Sequence, residues 1–393
     1  MKYFKKLIAA TLLILAAAAY SYPQTYEKLA DETFKYVKYS TFGKPKVVKN
    51  TNRLALVQLR IHYKVITTKM IEERDKSNSA RVSVYLDCDL TNQDLQNLTN
   101  EFYTILQNKL SRLGIEFVDW EAIKNTEYYS NRMQAAAENK SIDGDLENGQ
   151  AWVSFTAFNG PVFYRFNPVN PLKNESIAFG KTKKMSDMSE KLGAELAAFD
   201  IVIDFTSINL TTDFDTVWDE TGKYNEYKAN QTVVAILNSP TSNILLHDRK
   251  NNWDVYQGKK SIAISGNFAN RLYEDPSRAA LKVKQYFGDG GNTRFAFNPV
   301  VVEVDRLLYL RAARILLNQY ADLLVTKMQL LRAGENSKSV ASNTPSDNYN
   351  SSSSSQPNAN LPKDATVEKV KEEARKNNQT TAVTYGENMA EAE

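Results

Sequence analysis

Leu54-Ala-Leu-Val-Gln-Leu-Arg-Ile-His-Tyr-Lys-Val65 sets the class of fold. Its odd-numbered residues (Ala55, Val57, Leu59, Ile61, Tyr63, Val65) are apolar without a break, the period of a strand with one buried face. Val82, Val84 and Leu86 alternate again, and the polar stretch Glu72–Ala80 between the two runs reads as a loop. An antiparallel pair is expected. His62 lies among the even-numbered residues and is expected on the opposite, outer face.

Downstream of this pair, Thr91 opens a helix, with Asp94 three residues on in a capping-box arrangement. Leu95, Leu98, Phe102, Ile105, Leu106, Leu110 and Leu113 give it one apolar face, and Gly114 supplies a left-handed stop. A short strand at Ile115–Val118 and a second helix over Glu121–Glu138 follow. Gln150–Phe166 reads as strand broken at Gly160-Pro161, with a domain sub-boundary near 160–172 where Pro161, Pro168 and Pro171 cluster. Ser186 is expected to cap a helix carrying Met188, Leu192, Leu196 and Phe199, and Asp200–Leu210 is a strong strand. Thr232–Leu237 and Ile244–His247 read as a further strand pair, and Val300–Val304 as the last strand. The longest helix spans about Asp305 to Arg332. Leu310, Leu317 and Leu324 repeat on it every seven residues, either as packing against a sheet or as a partner-binding stripe for self-association. The expected class is α+β: a mixed or antiparallel sheet covered by helices, with a long C-terminal helix, over residues 22–333.

Both ends differ from this body. Lys2, Lys5 and Lys6 precede an apolar run from Leu7 to Ala19, too short to span a bilayer, and small residues follow. Residues 1–21 are therefore read as a secretory signal peptide. No Cys follows the run, so no lipid attachment is expected there, and the body contains no transmembrane span. Residues 334–393 are rich in Ser and Asn, include Ser351–Ser355 in succession, and read as a disordered tail. The formal charge of +3 is accounted for by the three N-terminal lysines, so the remaining chain is balanced and a poor candidate for nucleic acid.

One Cys and two His exclude a disulfide framework, Cys-rich zinc sites and most His-based catalysis. His247 beside Asp248 lacks a placed nucleophile, and both histidines are assigned to surface or turn positions. The most tempting pattern is Asp87-Cys-Asp89-Leu-Thr91 between a strand and a helix, with Asp289 in a later Gly-Asp-Gly-Gly. It resembles the first motif of haloacid-dehalogenase-type phosphatases, which implies a nucleophilic Asp87, an acid/base at Asp89 and Mg²⁺ between them and a phosphate. The same residues fit the start of a helix, where acids and hydroxyls belong. Asp213, Asp215 and Asp219 are weak candidates for Ca²⁺ in a solvated loop, without EF-hand spacing. Trp152, Phe155, Phe158, Phe163, Tyr164 and Phe166 form either core or an exposed aromatic face for a glycan or a protein. No cofactor is indicated.

The order strand, strand, leucine-striped helix, Gly114, Ile115-Glu-Phe-Val-Asp119, helix resembles the periplasmic domain of the curli secretion channel CsgG. Its relatives, the penicillin-binding-protein activator lipoproteins and the TolB N-terminal domain, share the likeness. Lys191–Asp200 followed by Ile201–Leu210 is similar to a later passage of that group. The resemblance covers about half the body and carries no catalytic motif. It implies an exported, non-catalytic envelope protein, periplasmic, outer-membrane-associated or secreted, that binds or assembles with an envelope protein partner. The Mg²⁺ phosphatase and the aromatic-faced glycan binder stand as alternatives.

Overall fold

The computed structural model describes residues 26–37, 46–72, 79–136, 143–145, 149–164, 179–219, 222–264, 268–280 and 294–333. The expected signal peptide, the Ser/Asn tail and Asp289 lie outside them. The class is α+β, with a mixed sheet and a long C-terminal helix.

In chain order the elements are α1 (26–33), β1 (Phe34–Tyr36), α2 (Val47–Asn50), β2 (Arg53–Glu72), β3 (Ser79–Asp87), α3 (Asn92–Ser111) and β4 (Glu116–Phe117). Next come α4 (Trp120–Lys124), α5 (Glu127–Ala136), β5 (Asp143–Asp145), β6 (Gln150–Thr156), α6 (Phe179–Leu192), β7 (Glu195–Asp219) and β8 (Gly222–Ser239). The chain closes with β9 (Ser242–His247), β10 (Trp253–Gly258), β11 (Ile262–Ala263), β12 (Arg271–Glu274), β13 (Arg294–Ala296), β14 (Val300–Glu303) and α7 (Arg306–Ala333). The sheet runs in the order β1-β10-β9-β7-β2-β3-β14-β12.

The long strand β2 organises the rest. Leu54–Tyr63 pairs in parallel with Glu195–Ile203 of β7, and Arg60–Ile66 pairs antiparallel with β6. From Ile66 to Glu72 the partner is β3, in the expected antiparallel sense. Ile66 is bonded to Tyr85 and Ala151 together, so β3 and β6 flank β2 on opposite sides. Beyond Tyr63, β3 thus occupies the side that β7 has left.

A bulge between Leu56 and Gln58 changes what the alternation means. A strand with one extra residue swaps its faces at that point. Ala55 and Val57 therefore pack in one cluster, with Ile123, Tyr129, Met185 and Met188. Leu59, Ile61 and Tyr63 pack in the other, with α3 and α7. The unbroken odd-numbered run belongs to two faces of the sheet.

α3 begins as expected: Thr91 Oγ1 accepts from the Asp94 amide and Asp94 Oδ2 from the Thr91 amide. Gly114 has φ +73°, the left-handed value expected of a helix stop. The expected helix over Glu121–Glu138 is two pieces, α4 and α5, because Thr126 turns its hydroxyl back to the Ile123 carbonyl between them. Ser186 lies inside α6 and caps nothing. Gly193, at φ +59°, ends that helix and sends Leu196 and Phe199 into β7.

The strands 232–237 and 244–247 do not pair with each other. β8 and β9 lie end to end, both antiparallel to β7, with Pro240 and Thr241 between them. Leu310, Leu317 and Leu324 are buried in the chain's own core beside Phe102 and Tyr320, which corrects their assignment as a partner-binding stripe. The large apolar groups that α7 leaves outside are Leu307 and Ile315. Among the described residues no helix is long and apolar enough to cross a membrane.

Candidate functional site

Past the β2 bulge, the second face of the sheet turns polar. Gln58, His62 and Lys64 of β2 and Asp200 and Asp204 of β7 are all buried. Buried polar and charged groups persist only where partners replace their lost hydration. His62 Nδ1 lies 2.8 Å from Ser154 Oγ of β6, its direct cross-strand neighbour. His62 Nε2 lies 3.2 Å from Asp200 Oδ1. Asp200 Oδ2 accepts from Gln58 Nε2 at 2.7 Å. Gln58 Oε1 then accepts from the Phe163 and Tyr164 amides, and Gln58 Nε2 also donates to the Tyr164 carbonyl. Three adjacent strands and the segment after Gly160 are joined by this one network.

Further along, Lys64 Nζ donates to Gln150 Oε1 at 2.5 Å and lies 5.9 Å from the centre of the Trp152 ring. Asp204 accepts from Thr67 Oγ1 and from the Thr206 amide. Burial pushes the Asp204 carboxyl above its ordinary pKa, with Lys64 pulling the other way.

Hydroxyl, imidazole and carboxylate in a row match the order of a nucleophilic triad, with the two ring nitrogens exchanged relative to that template. His62 and Asp200 are each 1% exposed. The arrangement joins strands and fixes the turn at 157–164 against the sheet, a positioning role. His62 is therefore a buried residue, not the surface one expected. His247 is buried as well, with Nε2 3.2 Å from Asn251 Oδ1, and burial lowers its pKa.

The other sequence candidates are dispersed. Asp87 ends β3 and Asp89 lies in the following loop, both exposed, with Arg278 Nη2 3.8 Å from Asp87. Asp94 is held by Arg306 and Thr91. Burial, with nearby carboxylates, pushes the half-buried Cys88 thiol up to about 12. Asp213, Asp215 and Asp219 fall on β7, in register with Lys228, Glu226 and Gly222, and not in a loop. Among the described residues no group of three or more His, Cys, Asp or Glu is placed to hold a metal.

Of the aromatic run, Trp152, Phe163 and Tyr164 are buried and Phe155 is partly buried, while Phe166 lies outside the described residues. Phe158 is 39% exposed, at φ +53°, with its ring against Tyr103 and Trp120. Its amide donates to Asn100 Oδ1 at 2.7 Å, a bond that holds a backbone conformation rare for a bulky residue.

The last feature is backbone rather than side chain. From Thr206 to Asp219, β7 pairs with β8 alone, and β8 takes a second partner only where Asn238 and Ser239 meet β11. The two strands form a ribbon whose outer edges carry no other strand among the described residues. No family model, curated protein or solved structure matches this chain.

Proposed function

We propose that this chain is an exported envelope protein, periplasmic or outer-membrane-associated, that acts by binding another protein. The observation that supports this reading is the β7–β8 ribbon. A strand edge with unpaired amides and carbonyls is a template for one more strand, and strand addition is a recurrent mode of protein recognition. From Thr211 to Asp219 the ribbon runs nine residues opposite Gly222–Asn230, roughly 30 Å of edge at the usual strand rise. The poverty of His and Cys points the same way, since it leaves carboxylates as the main candidates for chemistry. Self-association through the same edge is one form the binding can take.

The test shortens the ribbon. Replacing 212–229 by an Asn-Gly turn should leave the thermal transition of the purified protein in place and abolish site-specific photocross-linking to its envelope partner. The reporter for that cross-link sits at Ser207 in both forms. Cross-linking that survives the shortening overturns the proposal. Mg²⁺-dependent turnover of a generic phosphate ester, lost in Asp87→Asn, would instead establish the phosphatase.

A further inference from the structure

Arg81 lies on β3 between Met70 of β2 and Ala296 of β13. Its neighbours Ala80 and Val82 point into the core, so the Arg81 side chain is on the opposite face with Ser83. Its Nε and Nη2 are both buried, and neither has a hydrogen-bond partner. Those two nitrogens are the side-on edge of the guanidinium, the edge that takes both oxygens of a carboxylate or phosphate. Elsewhere in this chain the same edge is filled: Arg306 Nε and Nη2 donate to Asp94 Oδ2 and Oδ1 at 2.8 and 2.6 Å.

The surroundings of Arg81 are built for polar contact, and among the described residues none gives it an acid. Gly149, at φ +66°, lies directly against it: a Cβ there would sit 2.3 Å from Arg81 Nη2 and 2.8 Å from Thr68 Oγ1. The packing is so close that only glycine fits at this position. Thr68 Oγ1 donates to the Gly149 carbonyl at 2.8 Å, so the 2.8 Å contact between Thr68 and Ser83 must use the Ser83 proton. Both hydroxyl protons are thereby spent, and neither oxygen accepts from Nε or Nη2. The nearest network beyond is Lys64–Gln150, which adds a second cation. Desolvation lowers the Arg81 pKa and only Tyr85 acts against it. Two buried, unpartnered N–H groups on a half-buried guanidinium are costly, so an arriving oxyanion would regain part of what burial has taken.

We infer that the Nε/Nη2 edge of Arg81, walled by Gly149 and Thr68, binds a carboxylate or phosphate-type oxyanion. The site is separate from the ribbon edge and does not depend on its role. The oxyanion belongs either to an acidic side chain of a peptide or to a small free anion.

The test uses the full purified chain, titrated with inorganic phosphate, with acetate and with a short Asp-rich peptide, each against sodium chloride at equal ionic strength. Saturable stabilisation by phosphate, acetate or the peptide beyond that of chloride is expected, and which of them acts identifies the source. Arg81→Lys keeps the charge but has no fork, and should weaken that binding about tenfold or more. The same titration read at the Arg81 Nε–H nuclear resonance needs no variant: the ligand should shift it and slow its exchange with water. No saturable effect beyond chloride overturns the inference, as does equal binding by Arg81→Lys or an unmoved Nε–H.

Discussion

Asp204 is the carboxylate at which β7 parts from β2. Burial raises its pKa, against Lys64 and the bonds from Thr67 and Thr206. An acid whose folded pKa exceeds its unfolded value stabilises the fold fully below the unfolded value, about 3.9 for Asp. That contribution is lost as pH rises through the folded value, because the folded chain then holds the extra proton. Asp204→Asn keeps an oxygen for Thr67 and removes the charge. It should flatten this fall and raise stability at neutral pH, measured by urea unfolding between pH 4 and 8; an unchanged slope would count against it. Cys88 permits a second test. With its thiol near 12, the folded protein should react with a disulfide reagent at pH 8 at least tenfold more slowly than the urea-unfolded chain, since the thiolate is the reactive form. Equal rates would restore it as a candidate nucleophile. At this scale the sequence was least informative. Gln58 and His62 are visible as polar breaks in an apolar strand, but their partners are 92 to 142 residues away. No local period encodes such a pairing.

The helices were legible where their ends were chemical. Thr91, Asp94 and Gly114 marked α3 because caps and left-handed stops act within a few residues. The hairpin of β2 and β3 was legible because it is local. The bulge at Val57 was not, since alternation in a single strand carries no record of the neighbour it must match. The β8–β9 relation failed for a similar reason: two short runs around a turn signal look like a hairpin, whereas both were recruited by β7. For α7, the heptad period could not tell a sheet from a second helix, because both bury the same stripe. Its interior position makes a quantitative prediction. Leu317, 1% exposed, should cost about 2–5 kcal/mol as Leu317→Ala, with an unfolding midpoint independent of protein concentration. A midpoint that moved with concentration would return the stripe to an intermolecular contact.

Across the whole molecule, several closures join distant parts of the chain. β1 pairs with β10, Asp254 accepts from the Lys46, Val47 and Val48 amides, and Lys327 reaches Asp31 across 296 residues. A chain ending at Asp305 keeps every described strand but lacks α7, leaving Phe34, Phe102 and much of their apolar cluster uncovered. Such a truncation should bind a hydrophobic dye strongly and lose its cooperative thermal transition; a sharp transition like that of the full chain would show that the sheet folds without its last helix. The same closures impose an order in time. Contacts separated by most of the chain's length are entropically slow to form, and β14 and α7 are among the last described segments to be synthesised. Until they emerge, the N-terminal strands have no finished surface to join. Until α7 has been made, the nascent polypeptide thus stays unfinished, a state that invites chaperone capture.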